Sequence, residues 1–62
     1  MTNYHVMVSY ANIYGDLMNE VSYPKVAAES VQSAIISAIT YFLQEPEVVE
    51  RGYILRGARV VK

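Results

Sequence analysis

Residues 26–35 have the sequence VAAESVQSAI, in which an extended segment ends and a helix begins. Ser30 is the expected N-cap, because a serine hydroxyl accepts a hydrogen bond from a backbone N–H of the first turn. Pro46 disfavours helical geometry at Glu45, so the helix is expected to run from Ser30 to Gln44. The apolar residues of this helix follow the spacing of a stripe that faces a core. They are Val31, Ala34, Ile35, Ala38, Ile39 and Phe42.

The segments before the helix have the composition of a β-hairpin. Residues 4–10 alternate with period two and contain β-branched and aromatic side chains, which predicts a strand. Tyr14-Gly15-Asp16 is the expected turn. A second strand should begin at Leu17 or at Glu20 and run to Ala27. Pro24 lies inside it and cannot donate to a ladder, which predicts an edge strand or a bulge.

Residues 45–52 form either a connection or a short extra helical turn with Pro46 at its first position. Residues 53–61 are the last predicted strand, in which Gly57 marks a bulge or a break. The 62 residues therefore predict one small α+β domain, residues 1–62. Its order is β-β-α-β, with a three-stranded antiparallel sheet and one helix packed on one face.

The composition argues against several classes of function. The chain has no cysteine and one histidine, so neither disulfides nor a zinc site of the usual ligands is expected. We find no nucleophile elbow, phosphate loop or ligand cluster, and we expect no catalysis, metal or cofactor. An acid–base pair of His5 with Asp16 or Glu20 is the weak exception. With no signal peptide or membrane-length apolar run, we expect a cytoplasmic protein.

The formal net charge of −1 conceals an asymmetry. Residues 1–50 hold six carboxylates against one lysine, a net charge of −5, whereas residues 51–62 hold four cations and no carboxylate. Non-specific binding to DNA requires many phosphate contacts, which four cations beside six carboxylates do not supply. A protein partner is therefore favoured over nucleic acid.

The predicted helix contains no charged residue. An exposed helix normally carries charged pairs at i, i+4. The helix therefore either lies deep against its own sheet, or its uncharged outer face packs against a second copy or a partner. Ser33, Ser37 and Tyr41 are the candidates for self-association.

The last strand carries Arg56 and Arg59, which point to opposite faces of an ideal strand and to the same face if Gly57 marks a bulge. They either protect a sheet edge from pairing with other chains or bind carboxylates of a partner. Arg51 and Tyr53 complete the set of candidate partner-binding residues. Six tyrosines allow another hypothesis, that aromatic side chains on an open sheet stack unpaired bases. Ordinary cross-strand packing is the alternative for these tyrosines.

Ala28-Glu29-Ser30 with Ala34, then the helix, then Gly52-Tyr53 and the arginine-bearing strand, resembles the small inhibitors of bacterial RNA polymerase made by some podophages. Their helix opens with Ala-Glu-Thr and an alanine four residues after the threonine. A Gly-aromatic pair starts their last strand, and two arginines on it contact the polymerase. The resemblance covers roughly residues 20–60 and implies Arg56 and Arg59 as contacts. The arginines are three apart here and two apart in that family, whose helix also carries acidic residues.

The β-β-α-β outline is also similar to other short phage proteins, including some anti-CRISPR proteins that bind CRISPR effector complexes, and to HicB-type antitoxins. The Gly-Asp/Asn-Thr approach of those antitoxins is not found here. These resemblances imply a phage protein that acts in the host cytoplasm, binding and blocking a host machine, with RNA polymerase as the first expectation. A homodimeric antitoxin-like or structural module and a small single-strand binder are the other expectations.

Overall fold

The computed structural model describes residues 1–16 and 18–61, and the fold is α+β. The strands are β1 (Thr2–Ala11), β2 (Met18–Ala28) and β3 (Ile54–Val61), and the helices are α1 (Val31–Gln44) and α2 (Pro46–Arg51). The sheet is antiparallel with the order β2-β1-β3, and α1 packs on one face. The predicted β-β-α-β order is confirmed. The proposed start of the second strand at Leu17 lies outside the described residues.

The β1–β2 connection is a tight turn built on Asn12. Its side-chain oxygen accepts hydrogen bonds from the backbone N–H groups of Tyr14 at 3.0 Å and Asp16 at 3.1 Å. Gly15 donates its N–H to the Asn12 carbonyl and has φ 77°, a conformation that favours glycine. The predicted turn at residues 14–16 is therefore confirmed.

Pro24 lies in β2, which is an edge strand of the sheet. The β1–β2 register is also irregular here, since Tyr4 pairs with Val26 and Val6 pairs with Tyr23. Both features that the proline predicted are present. They protect this edge of the sheet, because an interrupted strand is a poor template for pairing with another chain.

The core lies between the central strand and α1. Val6 and Val8 of β1 are fully buried, and so are Ala34 and Ala38 of α1, with Phe42 only 1% exposed. Alanines at i and i+4 bring the helix backbone close to the sheet, and Phe42 fills the space beyond them. The predicted core stripe is confirmed at Ala34, Ala38 and Phe42. The side chains of Ile35 and Ile39, also in the predicted stripe, are half-buried.

Val31 was predicted to lie in the core, and this prediction is wrong, because its side chain is 48% exposed. Val31 is the first residue of α1, directly after the N-cap. The helical spacing holds at this position, but the helix has only begun there and its first turn extends past the sheet. Among the described residues, no helix is long and apolar enough to cross a membrane.

The helix ends have the expected caps. Ser30 Oγ accepts a hydrogen bond from the Ser33 backbone N–H at 3.1 Å. Pro46 opens α2, and this resolves residues 45–52 in favour of the extra turn. Gly52 ends α2 with φ 67°, the left-handed conformation in which glycine is preferred.

Ser33 occupies the position at which a glutamate completes the capping box, because it lies three residues after the N-cap. We expect Ser33→Glu to raise the free energy of unfolding by about 0.3–1 kcal/mol, through a return hydrogen bond to the Ser30 N–H and the charge near the helix N-terminus. Urea denaturation measures this change. Ser33→Gln is the matched control, since it can form the hydrogen bond without the charge. A fall in stability with both variants would contradict the capping geometry.

Candidate protein-binding surface

The face of the sheet opposite α1 is not covered by any other element that the structure describes. Strand alternation places Val6 and Val8 toward the helix, so their neighbours along β1 point the other way. The residues paired with those neighbours extend the same surface onto β2 and β3. We call this surface the helix-free face. It comprises His5, Met7, Ser9, Ala11, Met18, Glu20, Ser22, Ile54, Gly57, Arg59 and Val61.

An irregularity in β3 lies between its two arginines. Ser9 pairs with Gly57 and the next residue of β1 pairs with Leu55, which leaves Arg56 as an extra residue opposite the central strand. The extra residue shifts the strand alternation by one position. The bulge that the sequence suggested at Gly57 is thus present. Arg59 lies on the helix-free face, and Arg56 is the unpaired residue beside Gly57.

The two arginines differ in their surroundings. Arg59 donates to both carboxylate oxygens of Glu20, at 3.1 and 3.4 Å, and Ser9 donates to the same carboxylate at 3.3 Å. This group spans all three strands. Its contribution to stability is small, about 0–1 kcal/mol, because both charged side chains are largely exposed. Arg56 is exposed and makes no ion pair with any residue that the structure describes.

Arg51 and Tyr53, also predicted to bind a partner, lie elsewhere. Arg51 is in α2, where its Nε is 3.5 Å from Glu47 Oε1. The Tyr53 hydroxyl donates to the same oxygen at 3.3 Å, and its ring packs 4.8 Å from Tyr10 on the helix side. The four predicted residues therefore form two groups: Arg56 and Arg59 lie in β3, and Arg51 and Tyr53 meet at Glu47.

An apolar row at the hairpin end of the helix-free face was not predicted. Ala11 pairs with Met18 on one side and with Ile54 on the other, so the three side chains line up across the sheet. Met18 and Ile54 remain largely exposed, and Ile13 in the turn lies over Gly52 with much of its side chain exposed. The sequence did not predict this row because of the bulge. Without a bulge, the alternation of side chains along β3 would place Ile54 on the opposite face from Arg59.

A shallow groove adjoins this row and is lined by Ser9, Met18, Asn19 and Glu20. The helix-free face therefore combines Met18 and Ile54 with Arg59, and Arg56 lies at the adjacent bulge. Methionine and arginine are enriched at protein interfaces.

The outer surface of α1 is a second exposed surface. Of the residues predicted for self-association, Ser33 and Tyr41 are exposed and Ser37 is half-buried. The ring centroids of Tyr41 and Tyr23 are 6.2 Å apart, so this flank of α1 packs against β2. The opposite flank exposes larger aliphatic side chains, notably Ile36.

Tyrosines do not form a stacking platform on the helix-free face. Tyr10 packs against Phe42 with 5.3 Å between ring centroids, and Tyr23 and Tyr53 also contribute to packing on the helix side. Tyr14 is exposed in the turn. The cross-strand packing alternative thus accounts for the strand tyrosines, which removes the geometric basis for base stacking.

The proposed acid–base pair of His5 with Asp16 or Glu20 is not formed. His5 Nε2 instead contacts Ser22 Oγ, and Glu20 is held by Ser9 and Arg59. The described part of the chain contains no group of three side chains able to hold a metal ion.

Tyr23 joins β2 to the junction between the two helices. Its hydroxyl donates a hydrogen bond to Glu45 Oε1 at 2.9 Å. Burial, and then the hydrogen bond and charge of Glu45, raise the pKa of Tyr23 to about 12. A neutral hydroxyl is favoured here because a tyrosinate beside a carboxylate would be both desolvated and repelled.

Comparison with protein-family models, curated proteins and solved structures found no match for this chain. The candidate surfaces therefore rest on geometry and residue chemistry.

The raised pKa of Tyr23 predicts an alkaline transition. An unfolded tyrosine titrates near 10, so this contribution to stability is fully present below about pH 10 and is lost as the pH rises through about 12. Spectrophotometric titration of tyrosinate should show a late step that Tyr23→Phe removes. Tyr14→Phe, the exposed control, should keep that step. Glu45→Gln should move it to lower pH, and a late step unchanged in Tyr23→Phe would contradict the assignment.

Proposed function

We propose that this chain is a non-catalytic protein-binding domain whose helix-free face recognises an acidic surface of its partner. The observations that carry this proposal are Arg59 on the helix-free face and the exposed Arg56 at the adjacent bulge. Their planar guanidinium groups bind carboxylates with two parallel hydrogen bonds, which gives geometric selectivity as well as affinity.

Arg56 is the stronger candidate of the two arginines. It is exposed and makes no ion pair within the described residues, so no internal partner must be given up when it binds. Arg59 must share or exchange the Glu20 carboxylate, 3.1 Å away. This exchange is inexpensive because exposed ion pairs contribute little. Glu20 thus holds Arg59 in an extended position across the sheet before the partner arrives.

The apolar row beside the arginines supplies the second component of a binding site. Met18 and Ile54 offer side chains that gain free energy when water is removed from them, about 25 cal/mol for each Å² that becomes buried. Binding sites commonly combine a small apolar centre with charged residues at its margin. Contact with an acidic partner through this combination requires no reaction.

For the partner we propose a host machine that processes nucleic acids, with bacterial RNA polymerase as the specific candidate. The support is the resemblance of residues 20–60 to podophage inhibitors, in which two arginines of the last strand contact the polymerase. In this proposal the protein is phage-encoded, acts in the host cytoplasm and inhibits by occupying a surface. An anti-CRISPR protein bound to a CRISPR effector complex is the second candidate, supported by the similar outline of such proteins.

Affinity purification from a bacterial lysate separates these candidates. The bait is the whole chain, and the Arg56→Glu variant is the parallel control. Specific recovery of RNA polymerase subunits, lost with the control, supports the first candidate, and recovery of CRISPR effector subunits supports the second. Equal recovery with both baits would contradict the assigned surface.

With purified RNA polymerase, we expect Arg56→Glu to weaken binding by at least about 30-fold. Truncating or reversing a charge that is hydrogen-bonded across an interface costs on the order of 2–5 kcal/mol. Arg51→Glu makes the same change in net charge away from the helix-free face, and we expect a change of no more than about threefold. Surface plasmon resonance measures both. Equal losses would point to long-range electrostatic attraction instead of a contact.

Arg59 needs a different control because its charge also pairs with Glu20. Arg59→Glu alone places two carboxylates together, whereas the double variant Arg59→Glu/Glu20→Arg restores the pair with its direction reversed. Binding that remains lost in the double variant assigns Arg59 to the interface. Binding that returns to the original affinity would show that Arg59 acts only within the sheet.

A further inference from the structure

The helix α1 carries two apolar stripes. Its inner stripe is buried against the sheet and contains Ala34, Ala38 and Phe42. A second stripe, which we call the outer stripe, contains Ile36, Ile39 and Leu43 at the spacing i, i+3, i+7. Ile36 is 66% exposed, Leu43 is 51% exposed and Ile39 is half-buried. Spacing of this kind is typical of a seam between two helices.

We propose that a second copy of this chain packs on the outer stripe, so that two α1 helices lie antiparallel across a two-fold axis. The small core is the first argument. Among the residues that the structure describes, nine hydrophobic residues are buried and four of them are alanine, whereas larger side chains such as Ile36 remain exposed. A domain of this size has a small core, and association is one of the ways in which small domains without disulfides gain stability. Another copy is the one partner always present where the chain is made.

The charge pattern is the second argument for a copy. A two-fold interface joins a surface to a copy of itself, so a stripe with charges of one sign would face charges of the same sign. The helix α1 has no charged residue and avoids this repulsion entirely. An unrelated acidic or basic partner would instead find no charge on this surface to select it.

The charges of α2 determine the orientation. Glu45, Glu47 and Glu50 follow directly after α1 and outnumber the one cation of this segment, Arg51, which pairs with Glu47. A parallel pair of helices would bring these carboxylates of both copies together, whereas an antiparallel pair separates them by the length of α1. That length is about 21 Å for 14 residues at 1.5 Å per residue. Opposed helix dipoles also favour the antiparallel arrangement.

The required area is modest relative to the surface of the molecule. The smallest interfaces of stable complexes bury about 600 Å² on each side. This is roughly one seventh of the 4408 Å² surface of one copy. The outer stripe is on the opposite side of the sheet from the helix-free face, so a dimer presents two arginine surfaces, and its existence does not depend on the proposed function.

The test compares the dimerisation of two variants that carry one added negative charge at different positions on α1. In sedimentation equilibrium across roughly 1–500 µM, we expect the mass to rise from 7.0 kDa toward twice that value. Ile36→Glu should weaken dimerisation by at least about 100-fold, because a carboxylate would be buried twice in the seam. Ser33→Glu, the matched control, adds the same charge to the polar flank and should leave the dissociation constant within about threefold.

Three outcomes would overturn the proposal. One is a mass of 7.0 kDa across the whole range. Another is a dimer that Ser33→Glu disrupts and Ile36→Glu does not, which would assign the interface to the polar flank. The last is a dimer unaffected by either charge. Circular dichroism of each variant at low concentration checks that the fold is retained, and Ile36→Ala, expected to weaken the dimer about tenfold, provides the same test without a charge.

Discussion

Packing of Ala34, Ala38 and Phe42 against Val6 and Val8 is the contact on which the remainder of the molecule depends. Replacing a buried phenylalanine by alanine typically costs about 3–5 kcal/mol. At about 0.05–0.15 kcal/mol per residue, a chain of 62 residues has a total stability of roughly 3–9 kcal/mol. One side chain therefore accounts for a large share of the stability. It also determines which face of the sheet is covered, and hence which residues remain available on the other face.

The division of the surface follows from this contact. Aromatic and aliphatic side chains of the strands are used between the sheet and α1, whereas His5, Ser9, Glu20 and Arg59 remain on the opposite side. The two exposed surfaces consequently have different chemistry. The helix-free face has an apolar row next to arginines, and the outer stripe of α1 is aliphatic and uncharged. A small domain can in this way separate the recognition of a charged partner from association with its own copy.

The sequence was sufficient for the order of the elements, for the cap at Ser30 and for the inner stripe of α1, because each depends on residues near one another in the chain. It was not sufficient to predict how far one element extends past the element it packs against. Val31 has the correct helical phase but lies beyond the sheet. Ile54 and Met18 meet only through Ala11 of the central strand, and a bulge at Arg56 changes the side to which Ile54 belongs. Pairings across distant strands and single-residue shifts of register have no local signal.

The position of β1 in the centre of the sheet has a consequence for the order in which the fold assembles. Its pairing with β2 closes a short turn, whereas its pairing with β3 joins residues as distant as His5 and Val61. Closing the longer loop costs more chain entropy, so the hairpin is expected to form early and the second ladder late. Until β3 arrives, one side of the central strand exposes unpaired N–H and C=O groups beside two buried valines. Nascent chains at this stage are the ones most exposed to mispairing. The helix α1 precedes β3 in the chain and covers the two valines, whereas the edge of the central strand stays open until β3 pairs with it.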